Sequence, residues 1–147
     1  MENIKQINRP KEEKKKLSIL DEVIDEIETA LQDPRGLIYH QRRIAFALSL
    51  GSVELLEHYL KRLNVFKIGA KINHLWLKKK KENVKPFISR SLTCPIDNIN
   101  KIDKLLELAY KIEEERNLQA YGKQVSDEII REKINLFFEL KKECEND

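Results

Sequence analysis

Residues 42–60, RRIAFALSLGSVELLEHYL, decide the fold of this 147-residue chain. Apolar side chains fill most of IAFALSL, residues 44–50, and therefore cover nearly the whole circumference of a helix. A helix that is apolar on all sides is packed between other elements, so the segment from about Leu37 to Asn64 is predicted to be the central helix. At Gly51 and Ser52, where side chains are small, we expect a tight helix crossing or a subunit contact.

Two helices are predicted on either side of this central helix. Apolar residues recur at three- and four-residue steps between Leu20 and Leu31, and the sequence DPRG at residues 33–36 ends the pattern. After the central helix, the segment from Lys67 to Lys81 predicts a shorter helix. A loop is expected from Pro86 to Pro95, because proline disfavours a continuing helix.

Two more helices are predicted in the last third of the chain. The first is expected to have Asp97 or Asn98 as its cap, and the second to have Ser126. The first carries an apolar stripe at helical spacing, made of Ile102, Leu105, Ala109 and Ile112. No alternating run of β-branched and aromatic residues predicts a strand. The sequence therefore predicts an all-α fold, an antiparallel bundle of about five helices.

The composition agrees with one helical domain. Hydrophobic residues make up 41% of the chain and charged residues 36%, with only four glycines and four prolines. Residues 1–16 are interpreted as a charged N-terminal leader and residues 17–147 as the domain. The leader mixes acids with its lysines, which is untypical of secretory or transit peptides, and the longest uncharged stretch, Ile44 to Val53, is too short to cross a membrane. We expect a cytoplasmic protein with no membrane partner, whose two cysteines, Cys94 and Cys144, are free thiols.

The segment EEERNLQAYG, residues 113–122, is the first candidate site. One further four-residue step along the apolar stripe reaches Arg116, and a guanidinium on such a face needs an anionic or carbonyl partner. That partner could be the phosphate of a ligand. The alternative is that Arg116 bonds the last carbonyls of its own helix or pairs with Glu113 and touches no ligand. The three acids that begin the segment are interpreted as a solvated turn.

Three parts of the chain together resemble the HEPN domain, a small helical bundle of prokaryotic toxin and defence systems. They are the helix at residues 42–60, the sequence GAKINH at residues 69–74, and Arg116-Asn117 followed after three residues by Tyr121. The family signature is an arginine, a polar residue, three further residues and a histidine. The resemblance covers most of the chain after about Leu17. It implies a homodimer whose paired motifs form a metal-independent ribonuclease site, and a minimal nucleotidyltransferase as a partner.

Carried onto this sequence, the resemblance makes Arg116, Asn117 and Tyr121 the candidate catalytic residues. Tyr121 stands where the family has histidine. A phenol with a pKa near 10 is only about one part in a thousand ionised at neutral pH, so it is a poor base there. An arginine needs no such adjustment to grip a phosphate with two bonds. The substitution therefore weakens the case for catalysis more than the case for RNA or nucleotide binding.

A basic cluster in the middle of the chain is the candidate RNA-binding surface. Its members are Lys71, His74, Lys78, Lys79, Lys80 and Lys81. Trp76 lies within it, and the cluster is interpreted as a surface that follows the phosphates of a nucleic acid. The alternative is that the lysines form a solvated face and that Trp76 and His74 are structural.

No metal and no cofactor is predicted. His40 and His58 stand apart from other ligand residues and are interpreted as interface or surface polar groups. Glycine-rich phosphate loops and nucleophile elbows are absent from the sequence, which disfavours most enzyme classes. The leading hypothesis is a HEPN-like homodimer that binds RNA or a nucleotide, either as a weakened metal-independent ribonuclease or as a binding member of a toxin–antitoxin pair. The alternative is a noncatalytic helical module for protein–protein interaction.

Overall fold

A computed structural model describes residues 18–114 and 124–146. Within these ranges the chain forms five α-helices joined by short 3-10 turns, without a β-strand, so the predicted all-α bundle is confirmed. The helices are α1 (Ile19–Gln32), α2 (Gln41–Arg62), α3 (Lys81–Ser89), α4 (Ile102–Glu113) and α5 (Asp127–Glu145). The predicted leader, residues 1–16, and the motif residues Arg116, Asn117 and Tyr121 lie outside the described residues.

Helix α2 is the centre of the bundle, as predicted, because it packs against α1, α4 and α5. A 3-10 turn, Leu37–His40, leads into it. The tight crossing expected at Gly51 is confirmed. A methyl group placed there would lie 2.6 Å from a ring carbon of Phe137 in α5 and 3.0 Å from Cγ1 of Val23 in α1. Only a glycine lets these three helices approach so closely.

Helix α1 begins and ends where the sequence predicts. The Ser18 hydroxyl accepts a hydrogen bond from the Asp21 amide at 3.0 Å, and the Asp21 carboxylate accepts one from the Ser18 amide at 3.2 Å, which makes a capping box. The helix stops at Asp33. Gly36 then takes a positive φ of 107°, a conformation that side chains with a Cβ rarely adopt, and turns the chain into α2.

The prediction of a helix from Lys67 to Lys81 is wrong. The backbone donors of this stretch bond to other parts of the chain, since Lys67 donates to the Ser91 carbonyl at 2.8 Å and Ile72 to the Glu57 carboxylate at 2.6 Å. Only a 3-10 turn, His74–Lys78, interrupts the irregular chain before α3.

Helix α3 runs through Pro86 and ends at Ser89, so the first part of the predicted loop is also wrong. Val84 and Ile88 are buried on either side of the proline. Their burial stabilises this short helix enough to offset the hydrogen bond that proline cannot donate.

The last two helices match their predicted apolar stripes. All four stripe residues of α4 are buried, namely Ile102, Leu105, Ala109 and Ile112. The predicted caps Asp97 and Asn98 are wrong, because both belong to a 3-10 turn and α4 instead follows Lys101, which has a positive φ of 65°. The predicted cap of α5 is confirmed, since the Ser126 hydroxyl accepts a hydrogen bond from the Ile129 amide at 3.3 Å.

None of the helices in the described ranges is long and apolar enough to cross a membrane. Cys94 and Cys144 are both free thiols, as expected. Burial raises the pKa of Cys144 to about 12, which makes it a poor nucleophile.

Candidate functional site

Residues 115–123, which carry the candidate catalytic residues, lie outside the described residues, and they are flanked by Glu113 and Glu114 on one side and Gln124 on the other. Just before this segment, Glu113 is only 2% exposed and accepts a hydrogen bond from the Ser49 hydroxyl of α2. The interpretation of residues 113–115 as a solvated turn is therefore wrong for Glu113. Sequence periodicity could have indicated this, because Glu113 lies four residues after Ala109 and so falls on the face of the buried stripe.

A buried lysine fixes the same end of α4. The ammonium of Lys133, on α5, donates hydrogen bonds to the carbonyls of Lys111 and Glu114, the second at 2.9 Å. The last carbonyls of a helix have no partner within it and carry the negative end of its dipole. Lys133 therefore caps α4 and holds Glu114 against α5.

The returning end of the segment is attached to the start of α2. The Val125 amide donates to the side-chain carbonyl of Gln41 at 3.0 Å. Two residues later, the Asp127 carboxylate accepts bonds from the amides of Leu37 and Ile38, each at 3.2 Å. The described residues on the two sides of the segment that carries Arg116, Asn117 and Tyr121 are thus bonded to α2, to the turn before it and to α5.

A cavity of about 410 Å³ opens beside the start of α2 and the turn before it. Its lining is mostly polar and consists of Ile38, Tyr39, His40, Gln41, Arg42, Arg43 and Gln124. Cavities of this size hold small ligands such as a single nucleotide. Two arginines in the wall favour an anionic ligand.

In the wall of the cavity, the imidazole of His40 lies between an acidic and a cationic side chain. Its Nε2 lies 2.7 Å from Oδ2 of Asp33, and its Nδ1 lies 2.9 Å from a terminal nitrogen of Arg43. A guanidinium can only donate, so Nδ1 must be the unprotonated nitrogen and Nε2 donates to Asp33. His40 is 6% exposed, which corrects its interpretation as an interface or surface group.

Asp33 also binds Arg35 through both carboxylate oxygens, with Arg35 nitrogens at 2.8 Å from Oδ2 and 3.1 Å from Oδ1. Hydrogen bonds from Arg35, and then from His40, hold the pKa of the Asp33 carboxyl well below its usual range. An acid whose folded pKa is lowered keeps its stabilising charge until the pH falls through that lowered value. The negative charge of Asp33, and its ion pair with Arg35, are therefore expected to persist through mildly acidic pH.

Arg42 lines the cavity, and its guanidinium has no partner among the described residues. It is exposed, and within residues 18–114 and 124–146 it makes neither a hydrogen bond nor an ion pair through its side chain. Arg43, by contrast, is bonded to His40 and pairs with Glu26 at 3.1 Å. The planar fork of Arg42 can therefore bind a phosphate through two bonds without breaking an internal contact.

The predicted RNA-binding lysines lie on a different part of the bundle, between α2 and α4, and are not equivalent. Lys81 bonds Glu107 at 2.9 Å, and this bond raises its pKa. Lys79 lies over the ring of Phe87, 5.2 Å from its centroid. Lys71 and Lys80 are exposed and have no ion-pair partner among the described residues. Lys78 and His74 are half-buried.

The remaining predicted groups take structural or surface positions. Trp76 is half-buried against the core, with its ring centroid 5.7 Å from that of Phe87. His58 is a surface group, as predicted, and pairs with Glu54 at 3.3 Å. In the part of the chain that the structure describes, no three histidine, cysteine, aspartate or glutamate side chains are grouped so that they could hold a metal ion.

Sequence reasoning missed the cavity at the start of α2. A signal was present, because YHQRR at residues 39–43 is a polar run that opens an otherwise apolar helix. Comparison with other proteins adds no family assignment, since the chain matches no family model, no curated protein and no solved structure.

Proposed function

We propose that this protein is a cytoplasmic, HEPN-like homodimer that binds RNA or a nucleotide at the cavity before α2. The observation that carries the proposal is Arg42, a cationic side chain with no partner in the described bundle, in the wall of a nucleotide-sized cavity. Gln124, only three residues after Tyr121 in the chain, lines the same cavity. A phosphate bound by Arg42 would thus lie near Gln124, the first described residue after the segment that carries the proposed motif residues.

Replacing Arg42 by alanine should weaken binding of short single-stranded RNA by about 1–3 kcal/mol, the usual scale for a charge-assisted contact. Arg42→Lys should keep part of the affinity, because it keeps the charge but loses the two-bond geometry. Fluorescence anisotropy at fixed salt measures both. The helical circular dichroism signal should not change, since Arg42 is exposed.

The matched control is Lys142→Ala, which removes one exposed positive charge near the far end of α5. Fifteen residues of helix separate Lys142 from Asp127, which bonds the turn before α2, so the two ends are about 22 Å apart. An equal loss of affinity in both variants would mean that RNA responds to net charge and not to the cavity. If the native protein binds no RNA, the alternative of a noncatalytic interaction module takes its place.

The homodimer part of the proposal is supported by the outer face of α2. Phe46 and Leu50, one helical turn apart, are 43% and 49% exposed. They belong to the apolar run at residues 44–50. A second copy that packs on this face would bury both side chains, and the closed symmetry of most homo-oligomers makes such a self-complementary contact common.

The variant Leu50→Lys should convert a dimer to a monomer in sedimentation at micromolar concentration, because a charge would have to be buried at the proposed interface. Leu75→Lys is the matched control, since Leu75 is 51% exposed but lies in the 3-10 turn before α3. A native protein that sediments as a monomer would contradict the homodimer, and with it the two-copy ribonuclease site that the family resemblance implies.

A further inference from the structure

We propose that Tyr39 is a platform on which one unpaired nucleobase stacks. The inference rests on the proposed function, because it names the class of ligand that the cavity takes: single-stranded nucleic acid, recognised by a base together with a phosphate. Phosphate binding alone would make the cavity a general anion site, whereas a stacking platform makes it selective for nucleotides.

The first support is the exposure of the Tyr39 ring. Tyr39 is 57% exposed although it lines the cavity. The guanidinium of Arg35 lies over the ring, with its central carbon 4.6 Å from the ring centroid. Although Arg35 covers one face, more than half of the Tyr39 surface stays exposed, which leaves room for a base, and aromatic faces accept every base because each base has its own π-face.

The second support is that charged contacts within the protein already hold the Tyr39 ring in place. Arg35 is held by both oxygens of Asp33, and Asp33 is held in turn by the buried His40. Binding normally costs free energy to immobilise a side chain, and a fixed ring reduces that cost.

The third support is the spacing between the platform and the phosphate-binding residue. Tyr39 and Arg42 are three positions apart, at the junction of the 3-10 turn and α2, and both line the same cavity. A nucleotide offers a planar base and a phosphate in one small unit, which suits two adjacent groups of this kind. In a duplex the bases are already stacked on one another, so single strands are favoured.

The experiment uses the full chain and three probes at equal salt: a short single-stranded RNA, the same strand with abasic positions, and inorganic polyphosphate. The native protein should bind the RNA about 5- to 100-fold more tightly than the abasic strand, the range expected for one stacked base. Tyr39→Ala should lose this preference while binding of the abasic strand and polyphosphate stays the same. Tyr39→Phe should retain the preference, because it keeps the ring. Ile68→Ala, at a fully exposed loop position, should change nothing.

Two outcomes would overturn the platform while leaving the proposed function in place. One is equal affinity of the native protein for RNA and for the abasic strand. The other is an unchanged preference in Tyr39→Ala. Loss of all binding to the three probes by the native protein would instead contradict phosphate binding at the cavity, and both proposals with it. The comparison of probes on the native protein decides the matter even if a variant fails to fold.

Discussion

Replacing Tyr121 by histidine should raise the rate of metal-independent RNA cleavage by about 10²–10⁴-fold. The native protein is expected to cut RNA slowly or not at all, because a phenol rarely gives up its proton at neutral pH. Histidine exchanges protons in this range and is the residue that the family signature has at this position. Cleavage of a labelled single-stranded RNA in the presence of a chelator measures the change.

The same substitution in an Arg116→Ala background is the control for this result. If Arg116 stabilises the charge that develops on the phosphate, the double variant should lose most of the gained activity. Activity that persists there would come from a contaminating nuclease. Should Tyr121→His bind RNA but stay inert, the segment serves binding only and the ribonuclease hypothesis fails. Should the native protein cut efficiently and Tyr121→Phe abolish the activity, the phenol itself takes part.

The largest effect on stability is expected from Phe137→Ala, which should lower the free energy of unfolding by about 3–5 kcal/mol. Phe137 is fully buried and fills the crossing of α2 and α5 beside Gly51. Small domains are stable by only about 5–15 kcal/mol, so the loss is a large share of the total. Urea denaturation followed by circular dichroism measures it, and Phe138→Ala, at a half-buried neighbour, should cost clearly less.

Combining Phe137→Ala with Gly51→Ala tests whether the close contact at the helix crossing determines the loss of stability. Alone, Gly51→Ala should destabilise by about 1–3 kcal/mol, because its methyl group would lie 2.6 Å from the Phe137 ring. With Phe137 truncated, that methyl group enters the space left by the ring. The double variant should therefore lose less than the sum of the two single losses. Simple additivity would show that the two positions do not constrain each other.

The parts of the fold that the sequence predicts are those governed by local pattern. The apolar stripe of α4, the cap at Ser126 and the stop after α1 depend on neighbours within a few residues. The predictions fail where contacts between residues that are distant in sequence determine the local structure. Lys67 and Ile72 bond to Ser91 and Glu57, which removes their donors from any helix.

The candidate site is predictable from sequence only in part, for the same reason. A run of polar residues at the start of α2 is visible, but its grouping with Asp33 and Gln124 depends on how the turn before α2 folds and on where the chain returns to α5. The lysine cluster is easier to recognise because four of its members, Lys78 to Lys81, are consecutive. Their partners, such as Glu107 for Lys81, are remote in sequence, so the loss of free charge could not be predicted.

The two anchors of the segment from residue 115 to 123 bear on how this protein can change during evolution. Lys133 and Ser49 hold the chain at one end and Gln41 holds it at the other, and none of these three residues belongs to the segment. Because these contacts are made by side chains outside the segment, a substitution inside it does not remove any of the three groups. A change between tyrosine and histidine at position 121 therefore keeps all three groups in the chain, and under the proposed function it would separate a form that cuts RNA from one that only binds it.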